Sequence, residues 1–186
     1  DKEIFETLIP NINKIRNRLK IASLRLKNCR FVLVVDKQKE LINLNLDEYF
    51  KESLSENDNI LSDIIDINSY IKPEEFNVRF CYSFDGPITP KISSSVNLLS
   101  IEGGTHINIF LDILRDIFLT YKKKYNKKFQ ISDCICGLRA YISLLLKETD
   151  FTSQIKDRLS TSKKYLEKLG IKLKSELINY FEKNND

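Results

Sequence analysis

The chain has 186 residues, 42% of them hydrophobic and 30% charged, with a formal net charge of +4. This is the size of one domain, or one domain with an extension, and the composition of an ordinary globular protein rather than a disordered one. No apolar run approaches the roughly 20 residues needed to cross a bilayer, and the charged start Asp1-Lys2-Glu3 is unlike a secretory leader, so a cytoplasmic protein is expected.

Methionine is absent, so the sequence is read as a piece of a longer protein. Cys29, Cys81, Cys134 and Cys136 form no C-x-x-C pair, and the single histidine, His106, cannot complete a set of zinc ligands. Reduced thiols packed as small apolar groups are expected, and no metal site.

Leu8, Ile12, Ile15, Leu19, Ala22 and Leu26 recur in steps of four and three. That spacing predicts a helix starting near Pro10, within a basic segment spanning 1–30. From Leu8 to Val34 there is no acidic residue, while Lys14, Arg16, Arg18, Lys20, Arg25, Lys27 and Arg30 occur. Such a face is either simply solvated or a surface that tracks DNA phosphates. Phe31–Val35 is β-branched and apolar, Asp36–Glu40 polar, and Leu41–Asn45 a return strand, together a hairpin. Asp47 is placed to cap a short helix carrying Tyr49, Phe50 and Leu54. The acidic stretch from Ser55 to Glu75 reads as an irregular surface excursion.

Asn77–Phe84 alternates as a strand, Asp85-Gly86-Pro87 turns the chain, and a Ser-rich strand runs from Lys91 to Leu98. After Leu99-Ser100-Ile101-Glu102 comes a glycine pair, Gly103-Gly104, which allows a sharp entry into a helix. Thr105 is the expected cap of that helix, whose apolar stripe is Ile107, Phe110, Leu111, Leu114, Ile117, Phe118 and Tyr121. It ends in the lysines of 122–128, which suit the negative end of the helix dipole. A short turn at Ser132 or Asp133 leads to a strand, Gly137–Leu146, apolar enough in its second half to be central. A polar loop, 147–158, and a helix from about Ser162 with a weak point at Gly170 complete an α+β arrangement, a mixed sheet with helices packed on it.

The E-G-G-T-H sequence Glu102-Gly103-Gly104-Thr105-His106 resembles the signature of the transducer domain of bacterial type IIA topoisomerase B subunits, that is, DNA gyrase B and its topoisomerase IV counterpart. Two further motifs follow in the same order as in that family. Asp133, Gly137, Leu138 and Ala140 match D-x-x-x-G-L-x-A, with Ile135 and Cys136 where the family usually has Arg and Glu. Gln154-Ile155-Lys156 matches the Q-T-K loop, with Ile155 in place of threonine, and Glu148-Thr149-Asp150 stands where the family has a P-D-P turn. The resemblance covers nearly the whole chain, 1–186, as one domain. It implies a fold like the second domain of ribosomal protein S5: a four-stranded mixed sheet with a left-handed crossover. It also implies a coupling helix over 162–185.

The same resemblance implies roles. Lys156 and Gln154 reach the γ-phosphate of an ATP, with its Mg2+, held mainly by a preceding ATPase domain of the same subunit. A lysine ammonium is a compact charge suited to a terminal phosphate, and a glutamine amide can donate to phosphate or orient water. Arg16, Arg18 and Lys20 become candidate contacts to duplex DNA. The parent is implied to be an ATP-hydrolysing type II topoisomerase, dimeric in its B subunit and partnered by an A subunit. No complete catalytic set is present in this chain, and His106 and Glu102 read as local hydrogen-bonding groups. The rivals are a stand-alone S5-like nucleic-acid module using the basic runs of 16–30 and 122–128, and the transducer of a MutL-type ATPase.

Overall fold

The structure is a computed structural model that describes residues 10–26, 28–54, 59–83 and 89–184. Leu8, Lys27, Phe84 and the Asp85-Gly86-Pro87 turn lie outside those residues. The chain divides into two compact units, Asp1–Ser53 and Leu54–Asp186, where the sequence reads as one domain.

In the first unit, α1 (Ile12–Arg25) starts where the Asn11 side chain accepts the Lys14 N–H at 3.0 Å. β1 (Phe31–Val35) pairs antiparallel with β2 (Gln38–Ile42). The connection is tighter than the predicted five-residue turn, because Asp36 and Lys37 both take left-handed backbone angles and close the hairpin in two residues. α2 (Leu46–Ser53) is capped by Asn45 and not by Asp47. The Asn45 side chain accepts the Glu48 N–H at 2.8 Å, and the Glu48 carboxylate accepts the Asn45 N–H at 3.1 Å. Ile21, Leu33, Ile42 and Phe50 are buried.

The second unit is built on a sheet of five strands in the order β3-β4-β8-β5-β6. These are β3 (Ile65–Ile71), β4 (Glu74–Tyr82), β5 (Lys91–Val96), β6 (Leu99–Ile101) and β8 (Leu138–Leu145). Only β5 and β8 run parallel, so the sheet is mixed as expected, but it has one strand more than the four that the resemblance implies. The polar strand predicted over 91–98 folds back at Asn97 and Leu98, both at positive φ, and Leu99–Ile101 returns as an edge strand. The excursion predicted over 55–75 also fails in its second half. Ile65, Ile67, Ser69 and Ile71 alternate inward, and Ser69 hides that pattern by burying its hydroxyl, which donates to the Leu169 carbonyl at 2.9 Å.

Phe76, Val78 and Phe80 of β4 and Leu138, Ala140, Ile142 and Leu144 of β8 cover one face of the sheet. Two long helices close it: α3 (Thr105–Lys124), through Phe110, Leu114 and Ile117, and α4 (Lys163–Lys183), through Leu166, Leu169, Leu173 and Leu177. This removal of apolar surface from water is the main term holding the unit together. The short turn predicted to start at Ser132 or Asp133 is a 3-10 turn at Ile131–Ile135, with Gln130 and Asp133 capping each other. α4 runs unbroken through Gly170, capped by the Ser162 hydroxyl accepting the Tyr165 N–H.

Candidate functional site

Two of the three family-like motifs, the glycine turn and the Gln154–Lys156 loop, meet at one end of the second unit. The third, Asp133–Ala140, lies at the start of β8, where the Ser83 N–H donates to the Gly137 carbonyl and the Tyr82 hydroxyl to the Cys134 carbonyl. β7 (Gly103–Gly104) lies parallel to β9 (Arg158–Leu159), a two-residue strand that directly follows the Gln154–Asp157 tip. Gly103 is opposite Arg158, and Gly104 is opposite Leu159. The Glu102 N–H donates to the Asp157 carbonyl at 2.8 Å. Gly104 has φ 137°, and a Cβ there would lie 2.4 Å from the Leu159 carbonyl oxygen. Only glycine allows that approach, so the second glycine is fixed by contact with the loop's return limb.

Thr105 is the first residue of α3 and does not cap it. Gly104 occupies the cap position without a side-chain hydrogen bond, and the Thr105 hydroxyl points at the Leu159 carbonyl at 3.5 Å. His106 is fully buried, with Nε2 2.8 Å from the Ser94 hydroxyl oxygen. The Ser94 hydroxyl donates its one proton to the Ile101 carbonyl at 2.7 Å, so His106 donates from Nε2. Its Nδ1 is then a bare acceptor with no partner among the described residues. Burial lowers the imidazole pKa to about 4. The neutral ring packs the glycine turn onto β5.

The loop itself is closed at its base and open at its tip. Phe151 bridges to Leu159, the Thr152 N–H donates to the Arg158 carbonyl at 3.1 Å, and the Ser160 N–H donates to the Asp150 carbonyl at 2.8 Å. The Asp150 N–H donates to the Thr161 hydroxyl at 2.9 Å. In the tip, the Lys156 N–H donates to the Ser153 carbonyl at 3.1 Å, and the Ser153 hydroxyl donates to the Asp157 carboxylate at 3.2 Å. Lys156 has φ 58°. Gln154, Ile155 and Lys156 are exposed, Ile155 by 84%. The Lys156 ammonium lies 5.7 Å from the centre of the Phe151 ring, a cation–π distance.

Among the described residues, the donors at the tip suit a phosphate contact. Lys156 forms no ion pair among the described residues, and the neighbouring Asp157 carboxylate accepts from Ser153 instead. The Gln154 amide is exposed at the same tip. Among the described residues no group of three or more His, Cys, Asp and Glu could hold a metal ion.

The predicted DNA residues lie in the first unit and differ from one another. Arg16 pairs with the Glu40 carboxylate at 2.9 Å and Lys20 with Glu52 at 2.6 Å, so part of their charge is already answered by protein. Arg18 is exposed and forms no ion pair among the described residues. Sequence reasoning missed β9 and the Phe151 ring. A two-residue strand has no periodicity to detect, and Phe151 stands alone in a polar run.

The family model for DNA gyrase B matches residues 45–186. The DNA gyrase B protein of Thermotoga maritima is 30% identical over 117 residues, which are 60% of this chain and 18% of that protein. The crystal structure of the 43K ATPase domain of Thermus thermophilus gyrase B, in complex with an aminocoumarin, superposes with a TM-score of 0.73 at 23% identity. It covers 100% of this chain and 52% of that one. The topoisomerase IV ATP-binding domain of Francisella tularensis, in complex with a small-molecule inhibitor, also gives 0.73, at 20% identity, covering 98% and 51%. The chain thus spans about half the length of these solved structures. With the match running through the glycine turn, the central strand and the loop, the chain belongs to the DNA gyrase B family.

Proposed function

We propose that the second unit is the transducer of an ATP-dependent type II topoisomerase, coupling nucleotide binding in an ATPase domain to the passage of duplex DNA. The observation that carries this reading is the exposed tip Gln154-Ile155-Lys156. It offers a cation with no carboxylate partner among the described residues, on a loop whose base is hydrogen-bonded both to the start of α3 and to the lead-in of α4. When ATP is bound by the ATPase domain it supplies the terminal phosphate, and Mg2+ accompanies it there. Lys156 then contributes a charge to that phosphate, and Gln154 a donor.

The first unit supports a docked ATPase domain of the same polypeptide. Val32, Val34 and Leu41 are exposed by 47%, 57% and 60% on one face of the β1–β2 hairpin, an apolar surface that suits a covering neighbour. The remaining partners of the proposed parent are a second gyrase B-type chain, an A subunit and duplex DNA, in a cytoplasmic enzyme. The parent is the enzyme, and this chain contributes coupling residues to it.

The test is Lys156→Ala in the full-length protein. ATP turnover should fall on the order of 10²-fold, as for removal of one preorganised charge contact, with the thermal unfolding midpoint unchanged. Full turnover in that variant overturns the reading. A stand-alone nucleic-acid module would instead show tight, strongly salt-dependent duplex binding by this chain with no nucleotide effect.

A further inference from the structure

The Gln154–Asp157 tip joins the body of the unit through β9, the strand that directly follows it. β9 is squeezed between two neighbours. On one side Phe151 bridges to Leu159, and on the other Gly104 pairs with Leu159 in parallel. Leu159 is itself 1% exposed and packs in the main core. Asp157, directly after Lys156, holds the Glu102 N–H, one residue before the glycine pair. A displacement of Lys156 therefore acts within one peptide unit on the segment that starts α3.

We infer that Gly104 is the positioning residue that transmits the state of the Gln154–Lys156 loop to α3, through its close contact with the Leu159 backbone. This inference rests on the transducer reading. The two adjacent glycines are not equivalent in the contact. A Cβ on Gly104 would sit 2.4 Å from the Leu159 carbonyl oxygen and 2.7 Å from its nitrogen, and the residue has φ 137°. A Cβ on Gly103 would come no closer than 3.6 Å, to the end of the Arg158 side chain, an ordinary contact. Adding a methyl at 104 must push β9 away from β7, whereas the same methyl at 103 leaves the pairing intact. Because φ and sterics both act only at 104, the second glycine is the one the coupling depends on.

The experiment compares Gly104→Ala, Gly103→Ala and Lys156→Ala in the full-length protein. It uses amide hydrogen exchange with and without a non-hydrolysable ATP analogue, alongside KM and kcat for ATP. In the wild type and in Gly103→Ala the analogue should slow exchange both at Thr152 and Lys156 in the loop and at Glu102 and the first turn of α3. In Gly104→Ala the loop amides should still respond while the α3 amides do not, with kcat reduced at least ~10-fold and KM within about 2-fold of wild type. If Lys156→Ala keeps the full response, the transducer reading itself fails. If Lys156→Ala loses the response but Gly104→Ala behaves like Gly103→Ala, the transducer reading stands and Gly104 is not the coupling residue. Should Gly104→Ala not fold, the wild type decides. Analogue-dependent protection at the loop and in the first turn of α3 together supports the inference, and a response that stops at Glu102, before Gly104, overturns it.

Discussion

His106 Nε2 and the Ser94 hydroxyl oxygen stand 2.8 Å apart with no exposed surface on the histidine, and the serine's own proton is committed to the Ile101 carbonyl. That leaves a neutral imidazole whose second nitrogen has no partner among the described residues. Its pKa is lowered by burial from 6.5 to about 4. The unfolded chain therefore takes up a proton first as pH falls. The stability that depends on the neutral ring is complete above about 6.5 and is lost between about 6.5 and 4, at about 1.4 kcal/mol per pH unit. Urea unfolding at pH 7 and pH 5 should show a loss of about 2 kcal/mol from this group. His106→Gln should flatten that pH dependence. An unchanged slope in the variant would mean that other groups carry it.

Gln154 and Ile155 should separate in kinetics. Gln154→Ala removes a neutral hydrogen-bond donor, so ATP turnover of the full-length protein should drop about 10-fold, less than for Lys156→Ala. Ile155 is 84% exposed and touches little, so Ile155→Thr, which restores the family's residue, should leave turnover within about 2-fold. Steady-state ATPase assays on the two variants check both outcomes. A large effect at 155 and none at 154 would reverse the assignment.

Arg18 should matter more for duplex DNA than Arg16 or Lys20. The latter two already face Glu40 and Glu52, whereas Arg18 has no such partner among the described residues. Arg18→Ala in the full-length protein should lower the slope of log affinity against log salt by about 0.9, one released counterion's worth. Arg16→Ala and Lys20→Ala should change it less. Titrations at several salt concentrations measure this directly.

The sheet's main strands were legible because β4 and β8 carry their burial as pattern. Phe76, Val78 and Phe80 alternate, and β8 is apolar enough to announce a central position. What stayed hidden was held by backbone contacts or by single polar groups. β3 was masked by acidic neighbours and by Ser69, a buried hydroxyl that reads as surface until the Leu169 carbonyl is seen to receive it. β7 and β9 contain four residues between them, and their pairing depends on a steric fact about Gly104 that no periodicity expresses. At the candidate site, Lys156 and Gln154 came from motif order. The contacts of Asp157 and Leu159 with the glycine turn are made by their backbones, which carry no chemical signature in sequence.

Leu98 marks a local conflict that mutation can relieve. It adopts φ 68° in the two-residue turn between β5 and β6, a position that costs a non-glycine residue about 1–2 kcal/mol. Leu98→Gly removes that cost, while glycine's greater freedom in the unfolded chain takes back about 0.5–1 kcal/mol. A net gain of about 0.5 kcal/mol in chemical denaturation is expected, and any loss would show that the side chain contributes more than its turn costs.

The Ser69 bond to Leu169 also fixes where α4 is held along its length. The edge strand grips the helix near its middle, through a buried hydroxyl and again where the Lys172 ammonium meets the Tyr70 carbonyl at 2.8 Å. Sliding the helix lengthwise abandons the buried bond, at about 1–3 kcal/mol for an unmet polar group. The two bonds thus tie α4 to the edge strand near the middle of its length, beside the core contacts of Leu169 and Leu173.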